Sequence, residues 1–583
     1  MEGINHIYSI DLGTSNSVIC HYNDGAFNAV MINGVETQPS VVCYISETEY
    51  CCGHDAFNMM STHSKSTVMY NKKFKQRVNA EQRRLLSDLP YDHELDENGF
   101  VVYLLVLPNG TILRKRPVDV DVDYMRWLIK GAEEVVNAEC HYLALTYPTA
   151  FTSEQLNLTY GAMSMIRPTI APLRFIQEPV GAVLANLTPQ IDERFFIVFD
   201  FGGGTFDVAV LRCLHADCQV IYSSGVSDLG GYNLTRKLTD CIISQLPLTQ
   251  SLSNEEYSQL YQLCEQAKKD LSSRRLVDIH VQIKDIDNNI RVTREMFNEI
   301  IKQFIDETFL RLRETVQYTV NHGYRLTKNN TEVILVGGSS NIPCIKKRLE
   351  SELHVKVNNT VNVNRVVSQG CLRSAIQQYC KNMNIPVPPS VGSFQVHLIA
   401  LRDIGYTLNQ FDRTGNTIQT VIRKGQPNSE VNVQFERRFF TSKVYIYSRS
   451  KEDHPWEYQS FINLGIFNNV SEFSLKFNED GQLCYSYLSN NIRNEGVIAF
   501  ENNGDMNDEM VRKHYLIQNC TQELRYYLQR YQGSPNGVAM SDYITTVLNN
   551  FFENGEAYDC SYQQIYDYYP QVIAHIKLLL QQP

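Results

Sequence analysis

The feature that most restricts the fold of this chain is a glycine-rich or hydroxyl-rich turn that occurs three times, each time directly after an apolar strand. Ile7–Val18 contains Asp11 and then a turn of small residues, and Phe195–Val208 repeats this layout 189 residues later. Glu332–Pro343 again joins an apolar strand to a predicted helix. One isolated glycine run is usually a flexible β-hairpin. Three such turns in order predict a phosphate site in a duplicated α/β fold.

The residue types in these turns suit a nucleotide and a magnesium ion. Glycine lets backbone amides approach phosphate oxygens, hydroxyl groups donate to those oxygens, and an aspartate at a strand end can hold hydrated magnesium. We therefore expect Asp11 and Asp200 to hold magnesium through water. The candidate phosphate-binding residues are Gly13, Thr14, Ser15, Asn16, Gly202, Gly203 and Gly204, and Thr205 is a candidate catalytic residue. The third turn suits adenosine, with Gly337, Gly338, Ser339 and Asn341 as its candidates.

Composition and charge exclude several classes of protein. The chain has 583 residues, 43% of them hydrophobic and 20% charged, which is typical of a globular protein with more than one domain. A net charge of −11 without a basic patch excludes nucleic acid as the main partner. The 15 cysteines lack the spacing of a zinc site or a disulfide framework, and the sequence contains neither a signal peptide nor a long apolar segment. We therefore expect a cytoplasmic protein without a membrane partner.

Sequence patterns divide the chain into four parts. Residues 1–383 alternate apolar strands with helical stretches and predict an α/β nucleotide-binding domain. Residues 384–395 are rich in proline and predict an interdomain linker. Residues 396–503 contain short alternating runs and predict antiparallel β structure, and residues 504–583 return to helical spacing.

Two turns carry a resemblance to a known family. Asp11–Ser17 resembles the IDLGTT-x-S motif and Asp200–Asp207 resembles the DLGGGTFD motif of the seventy-kilodalton heat-shock chaperones. Within the superfamily of actin, sugar kinases and heat-shock ATPases, these strings favour the chaperone branch. The resemblance implies an actin-like ATPase domain of two duplicated lobes around a nucleotide cleft, then a β-sandwich and a helical lid. Further matching segments follow in family order: Thr67–Arg77, Tyr147–Phe151, Gln177–Ala182, Leu229–Gly231 and Cys264–Ser273.

The resemblance also implies catalytic roles. It places the family's catalytic lysine at Lys72, magnesium-holding carboxylates at Glu178 and Asp200 with Asp11 beside them, and a residue that positions the nucleophile at Asp207. Each has a simpler alternative. Without the motif, Lys72 reads as a solvated surface lysine, Glu178 as a loop cap and Asp207 as a turn residue.

The nucleoside is assigned by the same resemblance. Gly230 and Gly231 correspond to a conserved glycine pair of the family, and Glu265, Lys268 and Ser272 to its contacts with ribose and adenine. Glu265, Lys268 and Ser272 are spaced so that they lie on one face of a predicted helix. The alternative is an ordinary exposed Glu–Lys pair on a helix.

Beyond the linker the resemblance is fainter. Asp403–Leu408, Thr420–Lys424 and Leu475–Leu483 resemble strands of the β-sandwich with which the family grips extended peptides. Such a domain binds unfolded segments through backbone hydrogen bonds and an apolar pocket. A scaffold or docking module is the alternative, and no residue that contacts a client can be assigned.

Two single residues and two segments depart from the family pattern. Asn341 stands where the family has an arginine against adenine, and Leu156 where it has an arginine that relays the nucleotide state. Gly230–Thr235 lacks two carboxylates of the matching family string, and the linker is rich in proline without an acidic start. The resemblance therefore supports nucleotide binding more directly than coupling between domains.

The leading hypothesis is a monomeric, ATP-dependent chaperone. Its cofactors would be ATP or ADP and Mg²⁺, its clients unfolded or extended polypeptides, and its helpers a J-domain protein and a nucleotide-exchange factor. The alternatives are an ATP-binding scaffold of the same fold with weakened hydrolysis or coupling, and a small-molecule kinase of the superfamily.

Overall fold

A computed structural model describes most of the first 397 residues and shorter segments beyond them. Within 2–397 it leaves out residues 77, 79, 87–88, 97–98, 150, 152, 168, 189, 216, 248–251, 284–285 and 359–361. Beyond 397 it describes residues 403–407, 419–423, 431–432, 443–449, 457–463, 470–477, 483–489, 492–497, 524, 528, 537–553, 568, 571–572, 574–576 and 578–579.

The first part of the chain alternates strands and helices, as the sequence predicts. Its strands are β1 (Ile7–Asp11), β2 (Asn16–Asn23), β3 (Ala26–Ala29), β4 (Gln38–Pro39), β5 (Val41–Tyr44), β6 (Tyr50–Cys52), β7 (Thr67–Met69), β8 (Asp92–Leu95), β9 (Val101–Val106), β10 (Ile112–Lys115), β11 (Tyr142–Tyr147) and β12 (Ala171–Gln177). Its helices are α1 (Gly53–Met59), α2 (Ala80–Leu86), α3 (Pro117–Val136), α4 (Ser153–Met165) and α5 (Glu178–Asn186), with 3-10 turns at Glu2–His6, Ser64–Ser66 and Asn71–Phe74.

The second part repeats this alternation. Its strands are β13 (Gln190–Phe201), β14 (Phe206–His215), β15 (Asp217–Val226), β16 (Leu276–Ile283), β17 (Ile286–Thr293), β18 (Thr331–Val336), β19 (Lys356–Asn358) and β20 (Gln395–His397). Its helices are α6 (Gly231–Ile243), α7 (Asn254–Ser273), α8 (Arg294–Asn321), α9 (Pro343–Leu353) and α10 (Val366–Met383), with a 3-10 turn at Gly338–Asn341.

Two large sheets have matching strand orders. The first sheet has the order β12-β11-β1-β2-β3, with β4 also paired to β2, and the second has the order β19-β18-β13-β14-β15-β20. In each sheet the first strand along the chain is antiparallel to the next one and parallel to a later one. Asp11 ends β1, and Asp200 is the penultimate residue of β13. The duplicated strand-and-turn layout predicted from the sequence is therefore present in the fold.

The two sheets are separated by a pair of crossing helices. Apolar residues of both sheets, α5 and α10 form one buried core between the sheets, and further cores cover their outer faces. The helices touch at glycines: a Cβ atom built on Gly181 would lie 2.7 Å from the carbonyl oxygen of Val367, and one on Gly370 would overlap the carbonyl of Gly181. Side chains at these positions would push the helices apart, so the close crossing requires glycine.

The described residues after 397 form antiparallel β structure followed by helix. Two sheets have the orders β22-β21-β24-β25 and β23-β26-β27-β28, and their buried side chains share one apolar cluster. The strands are β21 (Asp403–Thr407), β22 (Gln419–Ile422), β23 (Val431–Asn432), β24 (Lys443–Arg449), β25 (Glu457–Asn463), β26 (Val470–Phe477), β27 (Leu483–Ser489) and β28 (Ile492–Val497). Helix α11 (Gly537–Val547) continues into a π-helical turn at Leu548–Glu553.

The junction between the predicted linker and the predicted β domain lies against the second sheet. Gln395–His397 pairs in parallel with Asp217–Gln219. Of the part predicted to be helical, residues 504–583, only Leu524 and Leu528 are described before Gly537. The domain boundaries at 383, 395 and 503 stay predictions. Within the described residues, no helix has the length and apolar character needed to cross a bilayer.

Candidate active site

A cavity lies where the glycine-rich turns of the two sheets meet. Thirteen of the predicted site residues line it: Asp11, Gly13, Thr14, Ser15, Asn16, Lys72, Glu178, Asp200, Gly202, Gly203, Thr205, Gly337 and Gly338. The sequence brings them together because β1 and β13 occupy equivalent places in the two sheets, so that the turns after them meet at one cleft.

The first two turns are in direct contact. A Cβ atom built on Gly203 would overlap the Ser15 side chain, and one on Gly204 would overlap Thr14. A third backbone segment closes in from the other side, because a Cβ atom on Gly230 would lie 2.6 Å from the carbonyl oxygen of Gly203. Glycine at these positions lets the backbone segments approach one another closely, and backbone amides in such turns are suited to binding an anion.

The third turn is bonded to the second. Gly337 adopts the left-handed conformation with φ 79°, and a Cβ atom there would lie 2.5 Å from the carbonyl oxygen of Phe201. The Ser339 hydroxyl donates to the carbonyl oxygen of Gly202 at 2.9 Å. Asn341, at the end of this turn, is exposed.

Three carboxylates lie close together at the base of the cleft. Asp11 accepts a hydrogen bond from the Thr146 hydroxyl at 3.0 Å. Burial and the nearby Glu178 carboxylate raise the pKa of Asp11 to about 7, although Lys72 opposes this shift. Burial, Glu178 and Asp207 raise the pKa of Asp200 well above its usual value. The ionised forms of these carboxylates are therefore unfavourable in the site by itself, and a bound cation would favour them.

Lys72 is buried within this acidic group. It lies on the 3-10 turn Asn71–Phe74, and its Nζ donates to Glu178 Oε1 at 2.9 Å, with the lysine only 6% exposed. Burial alone would lower the pKa of Lys72, but Glu178 and Asp11 outweigh it, so the net pKa is raised. Lys72 is therefore charged at neutral pH, and the structure excludes its interpretation as a solvated surface lysine.

A buried polar network supports the turn that carries Lys72. Lys75 Nζ donates to Asp121 Oδ2 at 2.6 Å and to the Thr159 hydroxyl at 2.9 Å. Asn71 Nδ2 donates to Asp121 Oδ1 at 2.6 Å, and the Tyr103 hydroxyl donates to Asn71 Oδ1 at 3.1 Å. These bonds fix the backbone on either side of Lys72, and no motif in the sequence predicts them.

Asp207 lies next to the site on β14 and is 1% exposed. Its Oδ1 accepts a hydrogen bond from the Thr149 hydroxyl at 2.5 Å. This burial within a strand excludes its interpretation as a turn residue. Thr149 belongs to the motif Tyr147–Phe151, so the motif was the signal that could have identified it.

The predicted nucleoside residues form a separate bonded group. On α7, Lys268 Nζ lies 2.7 Å from Glu265 Oε2 and donates to the carbonyl oxygen of Gly231 at 3.0 Å. The Thr235 hydroxyl donates to Glu265 at 2.5 Å. Burial would raise the pKa of Glu265, but the adjacent lysines outweigh it and lower the pKa to about 2. The pair is therefore not an exposed helix pair, while Ser272, two turns after Glu265, is half-buried.

The remaining cavity lining was not predicted. Thr37, Val363 and Asn364 contribute to it, and none of them belongs to a motif that sequence inspection could single out. Gly204, Asp207, Gly230, Gly231, Glu265, Lys268, Ser272, Ser339 and Asn341 lie outside this lining.

The carboxylates that line the cavity are of a type that binds magnesium, directly or through its waters. Within the described part of the chain, no three His, Cys, Asp or Glu side chains are placed to hold a metal ion between them. Carboxylates at longer range suit Mg²⁺, which keeps several of its waters and is bound through one or two carboxylates and substrate phosphates. Asp11, Glu178 and Asp200 provide that donor set.

Comparison with known proteins gives relatives over the same region. The chaperone protein HscA homolog of Haemophilus influenzae (strain PittGG) is 29% identical over 364 residues, covering 62% of this chain and 56% of the relative. The HscA homolog of Shewanella denitrificans is 27% identical over 362 residues, with the same coverages. The chaperone protein dnaK of Trieres chinensis is 28% identical over 380 residues, covering 62% of this chain and 60% of the relative.

These matches span little more than half the length of the relatives. A family model described as Hsp70 protein matches residues 7–405, which contain both large sheets and all three glycine-rich turns. With that match over most of its length, the chain belongs to the Hsp70 protein family.

Proposed function

We propose that this protein is an ATPase that couples nucleotide turnover to the binding of unfolded polypeptide. The observation that carries the ATPase part is the contact of Lys72 with Glu178 between Asp11 and Asp200 at matching strand ends. Family membership supports the same activity, because Hsp70 proteins are ATPases. The family's Mg²⁺ would neutralise charge on the bound phosphates.

In this proposal the chain's own residues position the reactants. Lys72 stays protonated, so it can orient the attacking water and offset the charge that develops on the γ-phosphate. Asp207, held by Thr149, helps position the water. The amide of Gly203 and the hydroxyl groups of the first turn hold the phosphates from opposite sides, while the Gly202 amide closes the second turn by donating to the carbonyl oxygen of Thr205.

The chaperone part of the proposal rests on the second region of the chain. Two four-stranded sheets with a shared core, followed by α11, are compatible with a β-sandwich and a helical lid. The relatives are named as chaperones, which supports polypeptide clients. The cytoplasmic location, the J-domain partner, the exchange factor and the monomeric state stay predictions.

A second candidate is an ATP-binding scaffold with weakened coupling between domains. It is favoured by Leu156, which packs half-buried against the core of the first sheet where the family has its relay arginine. A leucine side chain carries no charge, so it cannot pass a charge-dependent signal to another domain.

The decisive experiment measures ATP turnover of the full chain and of Lys72→Ala. Removing a preorganised positive charge from the transition state is expected to lower kcat by about 10²- to 10³-fold. Lys65→Ala is the matched control, because Lys65 is an exposed lysine on the neighbouring 3-10 turn Ser64–Ser66. Circular dichroism establishes that both variants are folded. Equal turnover in all three proteins would refute the catalytic assignment.

A second measurement separates the chaperone from the scaffold. An unfolded peptide is expected to stimulate turnover, and ATP is expected to change the protease sensitivity of the proline-rich segment 384–395. Turnover without either response would favour the scaffold.

A further inference from the structure

A second cavity, of about 390 Å³, borders the cleft and shares no lining residue with the cavity formed by the glycine-rich turns. One side of the cavity is formed by the chain from Met60 to Pro90, which comes before the second sheet in the sequence. The other side is formed by α6 and α7, which come after the second glycine-rich turn in the sequence. Its volume is within the range of small-molecule sites, about 300–1,000 Å³. Its lining includes Met60, Met69, Tyr70, Tyr232, Ser258 and Tyr261.

Tyrosines dominate the polar part of this wall. The hydroxyl groups of Tyr70 and Tyr261 are hydrogen-bonded to each other at 2.5 Å, although the two residues are 191 positions apart. The Tyr232 ring meets Tyr70 edge-on at 4.7 Å between centroids. Burial raises the pKa of both Tyr70 and Tyr261 well above its usual value, so both remain neutral phenols.

Tyr70 is also held in an unusual backbone conformation. Its φ of 57° and ψ of 24° lie in the left-handed region. A bulky residue adopts this conformation only where its surroundings enforce it, and such residues cluster at functional sites. The conformation places Tyr70 directly before the turn that carries Lys72, at the wall of the second cavity.

The charged groups around the cavity are balanced. Lys73 Nζ bonds Asp228 at 2.6 Å and lies 4.9 Å from the centroid of the Tyr232 ring. Arg236 and Asp240 carry opposite charges one turn apart on α6. The cavity therefore offers no excess charge for an ionic ligand, while its aromatic rings and the Met60 and Met69 thioethers favour a flat ring.

We propose that this cavity binds a small, uncharged, planar aromatic molecule of about two fused rings. The ring system would lie against the tyrosine rings, and a hydroxyl or carbonyl substituent would bond the polar groups of the wall. A bound molecule would contact both sides of the cleft and oppose their separation. The proposal does not depend on ATP binding, since no lining residue is shared with the nucleotide site.

The first test compares 2-naphthol with decahydro-2-naphthol, its saturated counterpart, by calorimetry on the full chain. Both molecules are neutral at pH 7 and share one ring skeleton. The aromatic compound is expected to bind with 1:1 stoichiometry. Its affinity should be about threefold to tenfold higher than that of the saturated compound, which is the gain that one aromatic contact provides. Absence of saturable binding, or equal affinity for the two compounds, would overturn the proposal.

The second test places the ligand in this cavity. Ser258→Trp fills the cavity from α7, and Gln259→Trp adds the same side chain at the next residue, which is exposed and outside the lining. Ser258→Trp is expected to weaken 2-naphthol binding at least tenfold, and Gln259→Trp less than twofold. Equal affinities for the two variants would mean that the compound binds elsewhere and would also overturn the proposal. Matching circular dichroism spectra establish that both variants are folded.

Discussion

The buried Lys75–Asp121 ion pair lies beneath Lys72, and we predict that removing both of its charges costs less stability than removing either one. Lys75 and Asp121 are 1% and 5% exposed and lie 2.6 Å apart. Burial lowers the pKa of Lys75 even though Asp121 opposes the shift. The lysine's folded-state pKa is thus below its unfolded value, so the charged form is less favourable in the folded protein than in water. The pair is therefore expected to contribute little net stability.

Removing only one partner is expected to destabilise the protein strongly, because it leaves the other charge buried without compensation. Lys75→Met and Asp121→Asn are each expected to destabilise the domain by about 3–5 kcal/mol. For roughly 390 residues at about 2.1 cal/mol/K per residue, 1 kcal/mol corresponds to about 1 °C in Tm. Each single variant should therefore lower Tm by about 4–6 °C.

The double variant Lys75→Met/Asp121→Asn should restore stability. Methionine has nearly the volume of lysine, and asparagine still accepts the hydrogen bond from Asn71, so a neutral pair is expected within about 1 kcal/mol of the parent or above it. Differential scanning calorimetry of the four proteins completes the double-mutant cycle. If the double variant loses as much as the two single variants together, the two charges are not coupled and the reasoning fails.

Two further predictions follow from the same fold. Gly370→Ala places a methyl group on the carbonyl of Gly181 and should cost about 1–3 kcal/mol, whereas Gln378→Ala on the same helix should change Tm by less than about 1 °C. Unchanged Tm in the first variant would show that the helices separate freely. Glu265→Gln should destabilise the protein by about 3 kcal/mol at pH 7, since the pKa of Glu265 is lowered to about 2 by Lys268 and its neighbour. Because the folded pKa is depressed, this difference is present above about pH 4.5 and lost as pH falls towards 2. Urea titrations of both proteins from pH 7 down towards pH 2 measure it, and a gap that widens on acidification would contradict the assignment.

The sequence predicts the local layout of the site better than its supporting contacts. Apolar runs that end in Asp11 and Asp200 identify two strands and two turns, because strand and turn preferences are local properties. The matched strand order of the sheets then brings these turns together. The Lys75–Asp121 pair joins residues 46 positions apart and the Tyr70–Tyr261 bond joins residues 191 apart, and neither leaves a periodic pattern in the sequence.

The three lysines between residues 72 and 75 also make contacts that the local sequence cannot predict. Lys72, Lys73 and Lys75 are 6%, 7% and 1% exposed, although a basic run of this kind is usually a solvated surface. Each lysine has a carboxylate partner from a distant part of the chain, Glu178, Asp228 and Asp121 respectively. Burial of such a run is decided by those partners, so the run itself cannot predict it.

The position of α10 has a consequence for how the first sheet folds during synthesis. This helix contacts β1, β11 and β12 of the first sheet, and the Ser9 hydroxyl donates to the carbonyl oxygen of Ser368 at 2.7 Å. The ribosome adds about 5–20 residues per second, so roughly 20–70 s separate the synthesis of these two serines. During that time one face of the first sheet lacks its final helix. The nascent chain must therefore keep that apolar face from aggregating until the second sheet has been translated.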